Sequence, residues 1–399
     1  MFASSVPNAL AAGLIVWQGT VDVATGGGER GPWRMNESRY EYVDDPTVAI
    51  DERGIAVAWV DQAQKDVFFR RYSADGKPLG AAVNVSRSPR VFSWLPRIAL
   101  APDGAILLLW QEIIFSGGSH GGDILFARSS DGGRTFSAPL NLSNSVGGDG
   151  KGRINPLVWH NGSLDIALAA DGAIYTAWTE YEGALWISRS TDGGATFTPP
   201  QRVPDSKPAR APALAVHGST VYLAWTVGDD ESADIRVAKS TDAGKTFSAP
   251  MIVGRSRAYS DAPKLAVDPQ GVPHLVYSEG RRILYSRAFE PARDISGTGA
   301  GFPALSTDEK GRIYVLWERF AERARMPRGL GLAISTDGGR SFASAEVPGS
   351  AGDGSNGSSQ GLLMRKLAVG RNGDIAIVNS SFQEGKRSRV WLMRARPGG

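Results

Sequence analysis

Four aspartates, Asp131, Asp192, Asp242 and Asp337, each stand beside small flexible residues in near copies of one decapeptide: ARSSDGGRTF from 127, SRSTDGGATF from 188, AKSTDAGKTF from 238 and AISTDGGRSF from 333. A carboxylate in such a setting could act as a catalytic acid, a metal ligand or a cap for its own turn. A second set of acids follows one or two places after an aromatic residue: Asp61, Glu112, Glu180, Glu279 and Glu318. A third set is basic: Arg97, Arg153, Arg210, Arg257, Lys264 and Arg365. Guanidinium groups brought together would hold a ligand carboxylate with their forked N–H donors. Tyr40, Tyr42, Tyr181 and Tyr259 supply phenols, Asp44 and Asp45 further acids, and Trp94 and Trp159 flat apolar faces for a ligand.

What must position these groups is a repeated unit. Short apolar strands begin after a proline or polar residue (PTVAID, PRIALAP, LDIALAA, PALAVH, PKLAVD, PALSTD, RKLAVG) and end in a turn glycine, namely Gly54, Gly104, Gly172, Gly218, Gly271, Gly311 and Gly373. A second strand follows and closes on Trp59, Trp110, Trp178, Trp225, Tyr277 or Trp317, whereas the seventh, DIAIVNS, lacks the aromatic. A third strand leads to the decapeptide and a fourth, such as TFSAPLNL, completes the unit. Four short strands repeating roughly every 50 residues specify an all-β ring of antiparallel blades, a β-propeller. Seven units are visible, so residues 1–399 are expected to form one seven-bladed domain. The last unit stops after its third strand, and LIVWQG, Leu14 to Gly19, is expected to pair with that edge and close the circle.

Within a unit, the aspartate lies at the hairpin between third and fourth strands. It can accept hydrogen bonds from the turn's own N–H groups while the next residues take positive φ. The aromatic residue of each box (Phe136, Phe197, Phe247, Phe342) is left to fill a blade interface. A catalytic acid is needed once, so four copies in four blades read as structural turns. The turns on that rim are short and uniform. The connections on the other rim vary in length and carry the charged and aromatic residues above, which marks it as the binding face.

Composition narrows the classes further. Lys and Arg number 44 against 41 acids, for a net charge of +3, and no basic tract stands out, so no nucleic-acid partner is expected. The absence of cysteine excludes disulfides and thiolate chemistry. The apolar run ALAAGLIVW is too short to span a bilayer, so a monomer without membrane insertion is expected, and Ala9-Leu10-Ala11 fits the small-x-small pattern of a signal-peptidase site, a hint of an export signal trimmed or mis-started. His120 and His160 sit on the variable rim, and neither a metal nor a nucleotide cofactor is expected.

The pattern S-x-D-x-G-x-T-F, beside strands of the G-x-I-x-x-A-W type, resembles the Asp-box, or bacterial neuraminidase repeat, propellers, the superfamily that includes exo-α-sialidases. The resemblance covers essentially the whole chain and, since that superfamily is largely exported, implies a periplasmic or secreted location. It implies the propeller fold and, for a sialidase, three arginines on the substrate carboxylate with a tyrosine nucleophile paired to a glutamate and an aspartate acid/base. Residues of suitable type are Tyr259, Glu180 and Asp61, with Arg97, Arg153, Arg210, Arg257, Arg365, Glu112, Glu279, Glu318, Tyr181 and Trp159 around the ligand. The Phe/Tyr-Arg-Ile/Leu-Pro motif of those sialidases is absent: the nearest stretch, Leu95-Pro96-Arg97-Ile98, has another order. Six blades, the alternative count, are usual in that enzyme family. The expectation is a sialidase-like propeller that binds a glycan or other acidic ligand at the variable-loop face without sialidase chemistry. The alternatives are an exo-α-sialidase and a propeller that binds a protein partner.

Overall fold

Runs of Val, Ile, Leu and aromatic residues fit a pleated, half-buried surface, and here they pair within each repeat as antiparallel sheets. The computed structural model describes residues 15–398 except 33, 35, 89–90, 117–118, 144–162, 180–183, 207–208, 229–232, 255–257, 353 and 358–363, and the side chains of 114–116, 119–122 and 397. Among the described residues the chain is all-β, with seven blades in a ring. No helix among them is long and apolar enough to cross a membrane.

The inner strands of blades 1 to 6 are Val43–Asp51, Phe92–Leu100, Leu164–Leu168, Ala209–His217, Ser260–Val267 and Ala300–Thr307. In these six blades the four strands pair in sequence order from the channel outward. Fourth strands are shorter than stretches such as TFSAPLNL suggest: Leu140–Asn141, Gln201–Arg202 and Met251–Ile252 each pair over two residues. Pairing starts immediately after Pro139, Pro200 and Pro250, because proline has no N–H to give a ladder.

Blade 7 is built differently. Its inner edge comes in two pieces, Ser355–Asn356 and Leu367–Val369, both paired with Ile375–Gln383. Arg387–Pro397 follows, and the outer strand is Ile15–Gly26, longer than the closing strand read from the sequence. It runs antiparallel from Ile15 opposite Pro397 to Gly26 opposite Ser388. Blade 7 joins blade 1 at the channel through Val48 N to Arg365 O, 3.2 Å. The missing aromatic is relocated: Asn379 holds the usual tryptophan position, and the fully buried Trp391 stands opposite it on the next strand.

The box hairpins explain the blade spacing. Asp131 Oδ1 accepts from Ser129 Oγ at 2.8 Å and Thr135 N at 3.0 Å, while Oδ2 accepts from Thr135 Oγ1 at 2.7 Å. Asp192, Asp242 and Asp337 repeat the pattern. These bonds hold all four carboxyls well below the ordinary carboxylate range. The second small residue of each box, Gly133, Gly194, Gly244 or Gly339, sits against an aromatic ring of the preceding blade: Phe69, Phe126, Tyr175 or Tyr285. Phe136 and Phe197 meet the first two of these rings edge-on, at 5.2 and 5.0 Å. Blade 5 lacks a box; there Ala288 and Phe289 take positive φ, and Phe289 packs on Tyr222 of blade 4.

Candidate functional site

Five inner strands share one irregularity. Register with the second strand slips between Asp44 and Thr47, Trp94 and Arg97, Arg210 and Ala213, Asp261 and Lys264, and Gly301 and Ala304. Inside each slip a residue with φ near +50° precedes a proline: Asp45, Leu95, Ala211, Ala262 and Phe302. A non-glycine residue there costs on the order of 1–3 kcal/mol, and the following proline adds its own restriction. Such bulges re-aim the side chains beside them. Here the flanking residues include Asp44, Trp94, Arg97, Arg210, Asp261 and Lys264.

Nearest the variable rim, Arg210 of blade 4 meets blade 5. Its Nε lies 3.5 Å from Asp261 Oδ1, and its guanidinium carbon stands 4.8 Å from the centre of the Tyr259 ring. The Asp261 carboxylate is well engaged: Oδ1 accepts from Thr226 Oγ1 at 3.0 Å and Ala262 N at 2.7 Å, and Oδ2 from Tyr259 Oη at 3.2 Å. Arg210 is 3% exposed, and none of its three guanidinium nitrogens has a hydrogen-bond partner among the described residues. A buried fork of donors with only a loose ion pair is costly in isolation.

One layer deeper, Asp165 of blade 3 gathers cations. Arg365 Nη2 donates to Asp165 Oδ1 at 2.7 Å, and Arg97 Nε lies 3.7 Å from the same oxygen. Arg97 also donates to Pro96 O at 3.2 Å. Burial lowers the Arg97 pKa to about 10, with Asp165 opposing the shift. Lys264 lies deep in the ring yet keeps part of its surface open to the channel; burial, then repulsion from Arg97, lowers its pKa to about 7. Asp45 is displaced upward by burial and by Asp44 beside it. Asp44 in turn accepts from Gln62 Nε2 at 2.8 Å, and Gln62 Oε1 from Trp94 Nε1 at 2.9 Å.

A third group joins blades 6 and 7. Buried Lys366 donates to Glu318 and to Asn379 Oδ1, the latter at 2.8 Å, and Asn356 Nδ2 donates to the second Glu318 oxygen. Asn379 therefore replaces the seventh aromatic for a polar purpose. Beyond the Asp165 layer, toward the box rim, the channel is a cavity of about 340 Å³ walled mainly by aliphatic residues of all seven inner strands.

Of the residues singled out from sequence, Lys264 and Arg365 line the channel, Arg97 joins Arg365 at Asp165, Arg210 and Tyr259 meet at Asp261, and Glu318 pairs with Lys366. Asp61 instead caps its own hairpin, accepting from Ala63 N at 3.0 Å and Gln64 N at 3.1 Å. Glu112 accepts from Ser88 Oγ and is pushed up by burial, and Glu279 accepts from Ser260 Oγ at 3.0 Å. Arg153, Trp159, His160, Glu180, Tyr181, Arg257 and the side chain of His120 lie outside the described residues. Asp165, Asp261, Lys366, Asn356 and Asn379 were not singled out. Their signal is faint: an acid or amide on an inner strand acquires meaning only opposite a base in the neighbouring blade.

No family model matches the chain, and no curated protein matches it. Solved structures do share its architecture. A protein of unknown function from Dyadobacter fermentans is 15% identical with a TM-score of 0.51, covering 95% of this chain and 99% of that one. The α-L-arabinofuranosidase Arb93A from Fusarium graminearum is 15% identical with a TM-score of 0.52, over 77% of this chain and 94% of that chain. An ulvan lyase of polysaccharide lyase family PL25, bound to -[GlcA(1-4)Rha3S]-, is 14% identical with a TM-score of 0.54, over 93% and 95%. At such identities the likeness carries the fold alone: this chain is a seven-bladed propeller whose structural neighbours include carbohydrate-processing enzymes.

Proposed function

We propose that this propeller is carbohydrate-active and binds an acidic saccharide at the variable-rim mouth of its channel, Arg210 taking the carboxylate or sulfate. The observation that carries this reading is the Arg210 guanidinium, buried and backed by Asp261 but, among the described residues, without a hydrogen bond from any of its nitrogens. Tyr259, half-buried over the guanidinium, supplies a flat face with a polar tip for the sugar ring. An acidic saccharide in a propeller neighbour supports the chemical class.

Binding without sialoside hydrolysis is the form we favour. Arg97 and Arg365 turn to Asp165 and Arg210 to Asp261, so the three arginines do not share one ligand carboxylate. Tyr259 donates to Asp261, an aspartate that also pairs with Arg210 and accepts from Thr226 and Ala262, where the sialidase scheme calls for a glutamate beside the tyrosine. A glycan array read alongside a fluorogenic sialoside assay tests this. Uronate-bearing and sulfated oligosaccharides should bind, neutral ones should not, and Arg210→Met should weaken binding at least about tenfold, as truncating a buried charge partner does. Equal binding of neutral glycans, or binding that survives in Arg210→Met, would overturn the reading. Sialoside turnover lost in Tyr259→Phe would replace it with a hydrolase.

A further inference from the structure

The connections between second and third strands divide the variable rim by charge. They carry net charges of −1, −2, −2 and −4 in blades 1 to 4, and +1, +2 and +1 in blades 5 to 7. Arg210 and Tyr259 stand at the border, between blades 4 and 5. An anion seated there is repelled on one side and drawn on the other. The connections that enter and leave blade 5, VGRSRAY and ISGTGA, carry no acid.

A fixed path leads from Tyr259 into the basic half. Gly280, at the tip of the blade 5 hairpin, lies against Ala258, the neighbour of Tyr259: a Cβ on the glycine would stand 3.7 Å from that of the alanine. Arg281 comes next and is exposed; its guanidinium carbon is 4.2 Å from the centre of the Phe320 ring, and its Nη2 donates to Ala324 O at 2.9 Å. That contact crosses to the blade 6 loop, residues 320–329. The loop is pinned by Phe320 N to Gly299 O at 2.7 Å, Arg328 Nε to Ala351 O at 2.7 Å and Asn356 N to Pro327 O at 2.8 Å. Most acids at hand are engaged: Glu318 with Lys366, Asp294 with Arg282 at 3.6 Å, Glu346 with Arg319 at 2.6 Å and Glu279 with Ser260 at 3.0 Å. Glu322 is the exposed acid of the loop, against Arg323 and Arg325, which are exposed and, among the described residues, pair with no acid.

We propose that the ligand is an acidic polysaccharide rather than a single sugar. One sugar sits at Arg210 and Tyr259, and the chain continues over the blade 5 hairpin to the blade 6 loop, where Arg281, Arg323 and Arg325 meet its next acidic groups. The path rests on acidic-saccharide binding at Arg210 and gives that binding a direction. Exposed cations that each contribute little suit a polymer, whose successive charges engage them together.

Titration calorimetry of the full chain with the dimer and hexamer of galacturonate, and with a heparin-derived disaccharide and hexasaccharide, tests the path. In about 50 mM NaCl at least one hexamer should bind about tenfold or more tightly than its dimer, and in about 0.5 M NaCl the gain should fall below about threefold, because exposed charges are screened. Arg323→Gln/Arg325→Gln should cut the gain to below about threefold, whereas Arg210→Met should weaken both lengths and leave their ratio. Hexaglutamate, equal in charge to hexagalacturonate but without sugar rings, should bind at least about tenfold more weakly than the tighter hexamer. Equal affinity for short and long saccharides, or a gain that survives in Arg323→Gln/Arg325→Gln, would overturn the path and leave Arg210 as a site for one acidic sugar. Hexaglutamate binding as tightly as the hexamers would overturn it in favour of an acidic peptide. Failure of every saccharide to bind, or binding untouched by Arg210→Met, would instead remove the site at Arg210 and the path with it.

Discussion

Removing residues 1–26 deletes the outer strand of blade 7 and leaves Arg387–Pro397 as an open edge. The loss can be worked from the structure. Ile15 and Val23 are buried on that strand, and full burial of such side chains stabilises by about 1.5–3 kcal/mol each. The ladder bonds and the Arg389 Nη1 to Asp22 Oδ1 contact at 3.0 Å add modestly and are offset by the entropy of ordering the strand. A net loss of about 3–6 kcal/mol results. Unfolding entropy near 2.1 cal/mol/K per residue gives about 0.8 kcal/mol per degree for a ring of 399 residues, so the melting midpoint should fall by roughly 4–7 °C. Scanning calorimetry measures the shift, and light scattering should rise in parallel, since an unpaired edge templates association. A peptide of residues 13–28 added in trans should restore most of the midpoint. A truncated chain melting within about 1 °C of the intact one would refute the reasoning, because a strand that contributes so little closes nothing.

Two further outcomes follow from packing and charge. Gly133→Ala drives a methyl group into the Phe69 ring, while Gly132→Ala meets open space at a similar positive φ. Thermal melts should therefore show Gly132→Ala costing about 1 kcal/mol of backbone strain and Gly133→Ala at least about 1–3 kcal/mol more; equal losses would show that the ring is not tightly seated there. Lys366→Met should destabilise the chain by about 3–5 kcal/mol in urea titrations by leaving Glu318 charged and buried, and adding Glu318→Gln should recover a large part; no recovery in the double variant would mean that the pair is not coupled.

The blades were legible because their signals are local. Gly54, Gly104 and the box aspartates answer demands made by their own turns, so three or four neighbouring letters suffice. Arg210 and Tyr259 stood out as chemical types, and the rim on which they lie followed from strand order. Their partners did not stand out. Asp261 is 51 residues from Arg210, and Asp165 is 200 from Arg365, so only the closed ring brings them together. Pro46, Pro96, Pro212, Pro263 and Pro303 are visible as strand starts, but the residues before them, Asp, Leu, Ala, Ala and Phe, give no hint of left-handed backbone. The relocation of Trp391 was hidden for another reason: alignment by strand position looks for an aromatic on the same strand, whereas packing needs it only in the same place.

The proline-marked slips in the inner strands have a consequence for how such a protein can change. At each, the two flanking positions are released from the alternation that ties the rest of the strand to its neighbours. They hold Asp and Thr, Trp and Arg, Arg and Ala, Asp and Lys, and Gly and Ala in successive copies, although the blades around them stay alike. They behave as interchangeable sockets arranged about an axis. A lineage, or an engineer, can swap the occupants one at a time and rewrite what the mouth of the ring recognises without redesigning the wheel that carries them.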